Sequence, residues 1–257
     1  MIRQTLKKLV RTNKFFGALY DIYLNIKLKK IIRTKNKKFS KSGIETFQDL
    51  CKLLNERNIK FWLCYGTLLG YVRENGILKH DFDFDIGLWN DDYSKELESA
   101  LEAHGFKLMH QFKSITDYPA FEQTYEKNGV SIDFFYHYAN ENKIWTNVFY
   151  REKFEDNLEK GLFRIRKLDY PKAELQKVTF LNTSVFIPSN AEEYLAEIYG
   201  VNWRIPDPNY DWHNGPKNNC TVSDAYGIME NTIQITREGG VLRNNFSIMR
   251  PSFMEAA

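Results

Sequence analysis

Three aspartates at alternating positions, Asp81, Asp83 and Asp85, carry the strongest chemical signal in this sequence. In an extended strand, a period of two sends these carboxylates to one face and the apolar residues Phe82 and Phe84 to the other. Like charges about 4 Å apart repel by roughly 4 kcal/mol per pair at an effective dielectric constant near 20. Oxygen-only clusters suit Mg²⁺ or Mn²⁺, hard ions that keep some waters and bind substrate phosphates. The pattern therefore predicts a divalent cation held by Asp83 and Asp85 together with Asp81. A solvent-exposed strand with alternating acids is the alternative interpretation.

The segment before the aspartates has the features of a phosphate-binding turn. Residues 60–65 are apolar and aromatic, which predicts a buried strand, and Gly66-Thr67 predicts a turn that opens a short helix over 68–74. Gly66 lets the backbone approach a ligand, and Thr67 either caps the helix or offers its hydroxyl. The free amides at the helix N-terminus attract phosphate, and Arg73 near the far end is expected to face the same site.

The order of these elements points to a fold class. A strand, a Gly-Thr turn, a helix and an Asp-x-Asp strand make up the core of the polymerase-β-like nucleotidyltransferases. The alternative is a structural glycine turn with a structural arginine. We therefore predict an α+β fold with a polymerase-β-like nucleotidyltransferase core, in which a small mixed sheet is flanked by helices.

Further motifs follow the same order as those of a known family. They are Gly66-Thr67-Leu68-Leu69-Gly70, Val72-Arg73, Gly76-Ile77, Asp81 to Ile86, Val130 to Tyr138, Val185 to Pro188 with Glu193-Tyr194-Leu195, and Tyr199-Gly200 with Trp203 and Pro206. The series resembles the LicD/fukutin family over residues 44 to 218. Tyr210-Asp211-Trp212 and Pro216 are more similar to fukutin than to the bacterial choline-phosphate branch.

The resemblance implies a metal-dependent transferase with a CDP-activated donor. Such an enzyme moves a phosphate-linked small alcohol, for example ribitol phosphate, glycerol phosphate or phosphocholine, onto a glycan of the capsule, lipooligosaccharide or teichoic-acid type. The acceptor can be lipid-linked. The main alternative is a nucleotidyltransferase that places the nucleotide part on a small molecule or sugar. A metal-dependent glycosyltransferase and a non-catalytic binding module are two further alternatives.

Asp133 is a fourth candidate carboxylate. It alternates with Ile132 and Phe134, which predicts a strand position beside the aspartate triplet if the two strands are neighbours. In polymerase-β-like sites, a carboxylate from an adjacent strand completes the metal shell or acts as the general base. The residues leave open whether Asp81 or Asp133 is the base. A strand-end aspartate that caps a turn is the alternative.

Three more residues are candidates for substrate binding. Arg164 and Arg166 lie in a charged segment and are expected to meet donor phosphates, with a solvated strand face as the alternative. Trp212 is expected to stack on an acceptor sugar, with loop packing as the alternative.

The N-terminal part of the chain differs in charge from the rest. Residues 1–41 carry 13 Lys or Arg and one acid, a net charge of +12, so the remainder carries −9. We predict a basic amphipathic helical arm over 1–41 and a catalytic domain over 42–257. The arm has no apolar run of about 18 residues, so it does not span a bilayer, and it suits the surface of an anionic membrane. Packing on the acidic body or on a second subunit is the alternative.

Composition also limits partners and compartment. The acidic remainder repels phosphate backbones and no nucleic-acid-binding motif is present, which argues against nucleic acid. Three cysteines fit neither a disulfide framework nor a paired zinc motif, so a reducing compartment is expected. We predict a cytoplasmic protein, peripheral on the inner face of the membrane.

Periodicity and turn residues predict the remaining elements. The predicted helices are 42–58 with Ser42 as cap, a helix from Asn90 or Asp91 to Leu101, and Asn190 to Tyr199; the predicted strands are 106–112, 121–126, 130–138, 144–150 and a hairpin over 178–188. Asn128-Gly129 is a strong hairpin-turn signal between two of these strands.

Overall fold

The computed structural model describes residues 14–79, 81–151, 161–207, 210 and 218–231. Its helices are α1 (Lys14–Glu56), α2 (Tyr65–Glu74), α3 (Lys95–Ala103) and α4 (Ala191–Tyr199). Its strands are β1 (Phe61–Leu63), β2 (Asp83–Trp89), β3 (Lys107–Ser114), β4 (Phe121–Lys127), β5 (Val130–Ala139), β6 (Lys143–Tyr150), β7 (Leu162–Pro171), β8 (Leu175–Phe180), β9 (Thr183–Pro188) and β10 (Asn219–Asn231). The fold is α+β, as predicted.

The strands form one mixed sheet of ten strands in the order β4-β3-β10-β7-β6-β5-β2-β1-β9-β8. The prediction of a small sheet was wrong, because the charged segment after 160 and the segment after 218 contribute β7 and β10, which local patterning did not reveal. β2 pairs with β5 in parallel and with β1 in antiparallel orientation. The acidic strand β2 thus lies between two partners in the interior of the sheet.

One half of the sheet closes on itself. Because β4 pairs with β5 as well as with β3, the strands β3, β4, β5, β6, β7 and β10 form a closed ring of antiparallel pairings. A small apolar cluster of Phe112, Ala120, Phe149, Ile165 and Ala225 packs between these strands. One edge of β5 pairs with the ring strands β4 and β6, and its other edge pairs with β2.

Helix α1 covers the apolar face of β2. The Phe84 ring lies 4.5 Å from that of Phe47 and 5.2 Å from that of Phe39, centroid to centroid, and both partners belong to α1. Phe84 and Ile86 are fully buried in the main core. Because side chains alternate along a strand, Asp83 and Asp85 lie on the opposite face, towards α2 and α4.

The starts of several helices differ from the sequence-based prediction. Ser42 lies inside the continuous helix α1 and does not cap it, since the apolar spacing of the catalytic segment continues into the basic arm. Helix α3 begins after Ser94, whose hydroxyl accepts a hydrogen bond from the Leu97 amide, whereas Asn90 and Asp91 belong to a 3₁₀ turn.

In the described part of the chain, no helix is long and apolar enough to cross a membrane. The boundary between arm and domain at residue 41 stays a prediction.

Candidate active site

The pairing of β2 with β5 brings two of the predicted carboxylates together. Asp85 is the direct register partner of Asp133, and Asp83 is that of Ser131. Paired residues of neighbouring strands point to the same face of a sheet and lie about 5 Å apart. Asp85 and Asp133 are each 5% exposed. The expectation that Asp133 lies beside the aspartate triplet is therefore met in the fold.

The predicted turn fixes Asp85 from two directions. The Gly66 amide donates a hydrogen bond to Asp85 Oδ2 (3.0 Å), and the Asp85 amide donates one to Thr67 Oγ1 (2.8 Å). Helix α2 begins at Tyr65, with Cys64 rather than Thr67 as its N-cap. The two turn residues thus hold the backbone and the carboxylate of Asp85 in place. The Thr124 hydroxyl of β4 donates a hydrogen bond to Asp133 Oδ1 of β5 (2.5 Å) and orients that carboxylate in the same way.

Asp81 precedes β2 and belongs to the same cluster. Burial raises the pKa of Asp81 well above its ordinary value, and the negative charge of Asp83, a hydrogen bond with the Asp83 carboxyl group and the charge of Asp85 raise it further. A Cβ added at Gly66 would lie 2.7 Å from Asp81 Oδ2, so the glycine is what allows the carboxyl group to approach the turn. The carboxyl groups of Asp81, Asp83 and Asp85 therefore lie close enough to repel one another when they are ionised.

This donor set fits a hard divalent cation. Oxygen ligands and excess negative charge are the chemistry that Mg²⁺ and Mn²⁺ require. Among the described residues, no three His, Cys, Asp or Glu side chains are arranged so that they could hold a metal ion together. The space bounded by Thr67, Asp81 and Asp83 is too narrow for a water molecule. An ion would therefore need small side-chain movements and further oxygens from water or from a substrate.

The predicted basic residues make other contacts in the structure. Arg73 forms an ion pair with its neighbour Glu74 (3.0 Å). Arg164 and Arg166 extend from β7 over the rings of Tyr226 and Tyr150, at 6.0 and 4.0 Å from the ring centroids. Trp212 lies outside the described residues.

Two tyrosines near the carboxylates were not among the predicted site residues. Burial raises the pKa of Tyr199, and its proximity to Tyr210, Asp85 and Asp81 raises it further, which places the end of α4 close to the acidic cluster. The Tyr199 and Tyr210 rings are 4.9 Å apart. Tyr65 immediately precedes Gly66 and has a backbone φ of +44°. Tyr65 and Tyr199 are each followed by a glycine at the end of a helix. This neighbouring glycine is the local sequence feature from which they could have been predicted as site residues.

His137 lies on the same strand face as Asp133 but is separate from the acidic site. It is paired with Trp89, four residues along β5 from Asp133, a distance of about 13 Å. It lines a cavity of about 20 Å³ with Trp62, Tyr170 and Tyr194, enough for one water molecule. The chain therefore uses this histidine in packing.

His137 should make the protein sensitive to mild acid. Burial lowers its pKa from 6.5 to about 4, against weaker opposing effects of the Phe135 and Leu88 backbone. Between these values the unfolded chain binds a proton that the folded chain does not, so the free energy of unfolding falls as the pH drops from 6.5 towards 4. Urea unfolding measures the free energy of unfolding at pH 7 and at pH 5. The drop between these two pH values should be smaller in His137→Gln than in the original chain, by roughly 2 kcal/mol.

A control for this prediction is His104→Gln at the exposed end of α3. It should keep the pH dependence of the original chain. An identical pH dependence for His137→Gln and the original chain would contradict the prediction.

Comparison with known proteins shows which family matches this chain. The family described as "LicD/FKTN/FKRP, nucleotidyltransferase domain" matches residues 58–190, which include the Gly66 turn and all four aspartates. The proteins named Ribitol-5-phosphate transferase FKTN from Mus musculus and Homo sapiens are each 30% identical over 184 residues, 70% of this chain and 37% of theirs. An uncharacterized protein of Rickettsia prowazekii is 32% identical over 148 residues, 57% of this chain and 49% of its own.

The matched residues include the neighbouring strands β2 and β5 with their carboxylates, and the description of the family names a nucleotidyltransferase domain. The chain belongs to the LicD/FKTN/FKRP family, as its motifs indicated. It spans less than half the length of the curated relatives that it matches.

Proposed function

We propose that this chain is a metal-dependent transferase that moves a phosphate-linked small alcohol from a CDP-activated donor onto a glycan, on a polymerase-β-like nucleotidyltransferase core. The observation that carries the proposal is the shared face of Asp83, Asp85 and Asp133 beside the Gly66 turn. The similarity to proteins named ribitol-5-phosphate transferases makes ribitol phosphate the first group to test, ahead of glycerol phosphate and phosphocholine.

The aspartates divide into ligands and a base. Asp83 and Asp85 would hold Mg²⁺ or Mn²⁺, and either Asp81 or Asp133 would complete the shell while the other would serve as base. When bound there, the ion neutralises the donor diphosphate and the leaving group. Gly66 and Thr67 keep Asp85 in the orientation that this role needs. Arg73, Arg164 and Arg166 are the cations that we propose for contact with the donor phosphates, although each makes another contact in this structure.

The reaction is an in-line displacement at phosphorus. An acceptor hydroxyl attacks the donor phosphorus that bears the alcohol, a new P–O bond forms, and the bond to cytidine monophosphate breaks. The hydroxyl proton passes to the carboxylate that acts as base. We propose that Tyr199, which lies close to the acidic cluster, and Trp212 border the acceptor.

A two-stage experiment tests this function. CDP-ribitol, CDP-glycerol and CDP-choline are first screened by thermal shift with Mg²⁺, because a bound donor stabilises by about 2.7 kcal/mol at 100 times its dissociation constant. The selected donor, labelled in the alcohol or in the cytidine, is then incubated with glycan acceptors. Alcohol label on the glycan together with free cytidine monophosphate is the expected result. Cytidine label on the product would support the nucleotidyltransferase alternative, and absence of any donor consumption would support a binding module.

The basic arm supports a further part of the proposal. Ile26 is 63% exposed on the first half of α1, among the lysines and arginines of residues 14–41. This combination suits peripheral contact with an anionic membrane, where a lipid-linked acceptor would be found. The cytoplasmic location stays a prediction.

A further inference from the structure

Tyr65 has an unusual backbone conformation at the entrance to α2. Its φ of +44° lies in the left-handed region, which bulky L residues rarely adopt. Among the described residues other than glycine and asparagine, only Tyr65 and Leu181 do so, and Leu181 belongs to the two-residue turn between β8 and β9. Tyr65 is in no hairpin. Strained residues of this kind persist only where the surrounding structure holds them.

Two side chains contact the Tyr65 side chain directly, and a third packs against one of them. Tyr170 of β7 donates a hydrogen bond from its hydroxyl to Tyr65 Oη (3.1 Å). The Tyr65 ring meets Phe135 of β5 edge-on, with centroids 4.6 Å apart. Tyr194 of α4 stacks on Tyr170 at 4.2 Å and an interplanar angle of 14°. Burial raises the pKa of Tyr65 and Tyr194, so these phenols remain neutral hydroxyl groups.

The strained residue controls the direction of one amide. The Gly66 N–H belongs to the peptide group that follows Tyr65, so its orientation depends on the Tyr65 backbone angles. That N–H donates to Asp85 Oδ2. The chain of contacts therefore runs from Tyr194 and Tyr170 through Tyr65 to the carboxylate, and it connects β7 and α4 to the acidic site.

We propose that Tyr65 is a positioning residue of the active site, whose left-handed backbone, locked by the hydrogen bond from Tyr170, aims the Gly66 amide at Asp85. The inference rests on the proposed function, since it assigns to Asp85 a role in holding the cation. The inference also assigns a positioning role to Tyr170, which acts on the carboxylate through Tyr65.

A double-mutant cycle tests it. Tyr65→Phe, Tyr170→Phe and the double variant are prepared as full chains, and Mn²⁺ is titrated calorimetrically in the presence of CDP, alongside turnover and KM for the donor. Each single variant should bind Mn²⁺ roughly tenfold more weakly, the order of one lost hydrogen bond, and lose turnover to match with little change in KM. The double variant should bind no more weakly than either single one, because both substitutions remove the same bond.

Tyr136→Phe is the matched control. Tyr136 is as buried as Tyr65's partners, its hydroxyl donates to Gln123 (2.6 Å), and it lies on the opposite face of β5 from Asp133. It should lose thermal stability but keep Mn²⁺ affinity. If the control loses as much affinity, or if Tyr65→Phe binds Mn²⁺ as the original chain does, the inference is overturned while the function stands. If the original chain itself takes up no Mn²⁺ and transfers nothing, the proposed function fails and the inference falls with it.

Discussion

Replacing Asp83 by Asn is expected to abolish transfer while leaving the fold intact. The substitution keeps the shape of the side chain and removes the charge that a cation requires. Loss of one preorganised electrostatic contact of this kind costs about 10²- to 10³-fold in turnover, and a lost metal ligand should reach or exceed the upper figure. Cytidine monophosphate release under saturating donor and Mg²⁺ measures the effect.

The stability of this variant should move in the opposite direction. Asp83 is only half-buried at the first position of β2, and its charge contributes to the raised pKa of Asp81. Removing it lessens repulsion within the cluster, so without a divalent cation the variant should melt at the same temperature as the original chain or higher. Asp117→Asn, in the exposed loop between β3 and β4, is the matched control and should keep full activity. Comparable specific activity in Asp83→Asn would refute the assignment of this carboxylate.

Gly66→Ala should cause the second-largest loss of activity. An added Cβ would lie 2.7 Å from Asp81 Oδ2 and 3.2 Å from Asp85 Oδ2, so at least one carboxylate must move. A displacement near 1 Å at a catalytic group costs on the order of 10²-fold in turnover. Steady-state turnover at saturating donor, with the Mg²⁺ concentration varied, measures the loss.

The same substitution should not unfold the protein. Gly66 lies in the first turn of α2, and alanine is favoured over glycine in a helix by up to about 1 kcal/mol. The expected signature is thus a folded, inactive chain. Gly76→Ala is the control, because the nearest atom to its added Cβ is Glu74 O at 3.8 Å. If Gly66→Ala were as active as Gly76→Ala, this would contradict the close approach of the Gly66 turn to the Asp81 and Asp85 carboxylates.

The elements that the sequence predicted well are those set by neighbouring residues. Asn128 and Gly129 both have positive φ, at 56° and 77°, and join β4 to β5 in the predicted hairpin. Alternation of apolar and acidic residues gave the two faces of β2, and burial of Phe84 and Ile86 confirms the apolar one. Cys51 and Cys64 are buried thiols, in line with a cysteine set that shows no disulfide pattern.

The elements that were missed depend on distant partners. β10 pairs Gly227 with Ser114, more than 100 residues away, and its own segment has no marked alternation. The closed ring of six strands likewise depends on the second edge of β4, which no local pattern reports. The start of α1 was misplaced at Ser42, because a good capping residue also occurs inside helices that tertiary packing continues.

The amino-acid sequence alone was enough to predict the residues that we propose carry the chemistry: an acidic strand, a glycine turn before it, and a later aspartate between apolar neighbours. Residue type and spacing suffice for this, since side-chain direction within a strand is a local property. Only the tertiary structure decided that β5 lies parallel to β2 with Asp133 opposite Asp85, and that Tyr170 reaches Tyr65. Those contacts join segments far apart in the chain, and they exist because the sheet buries both strands between α1 on one face and α2 with α4 on the other.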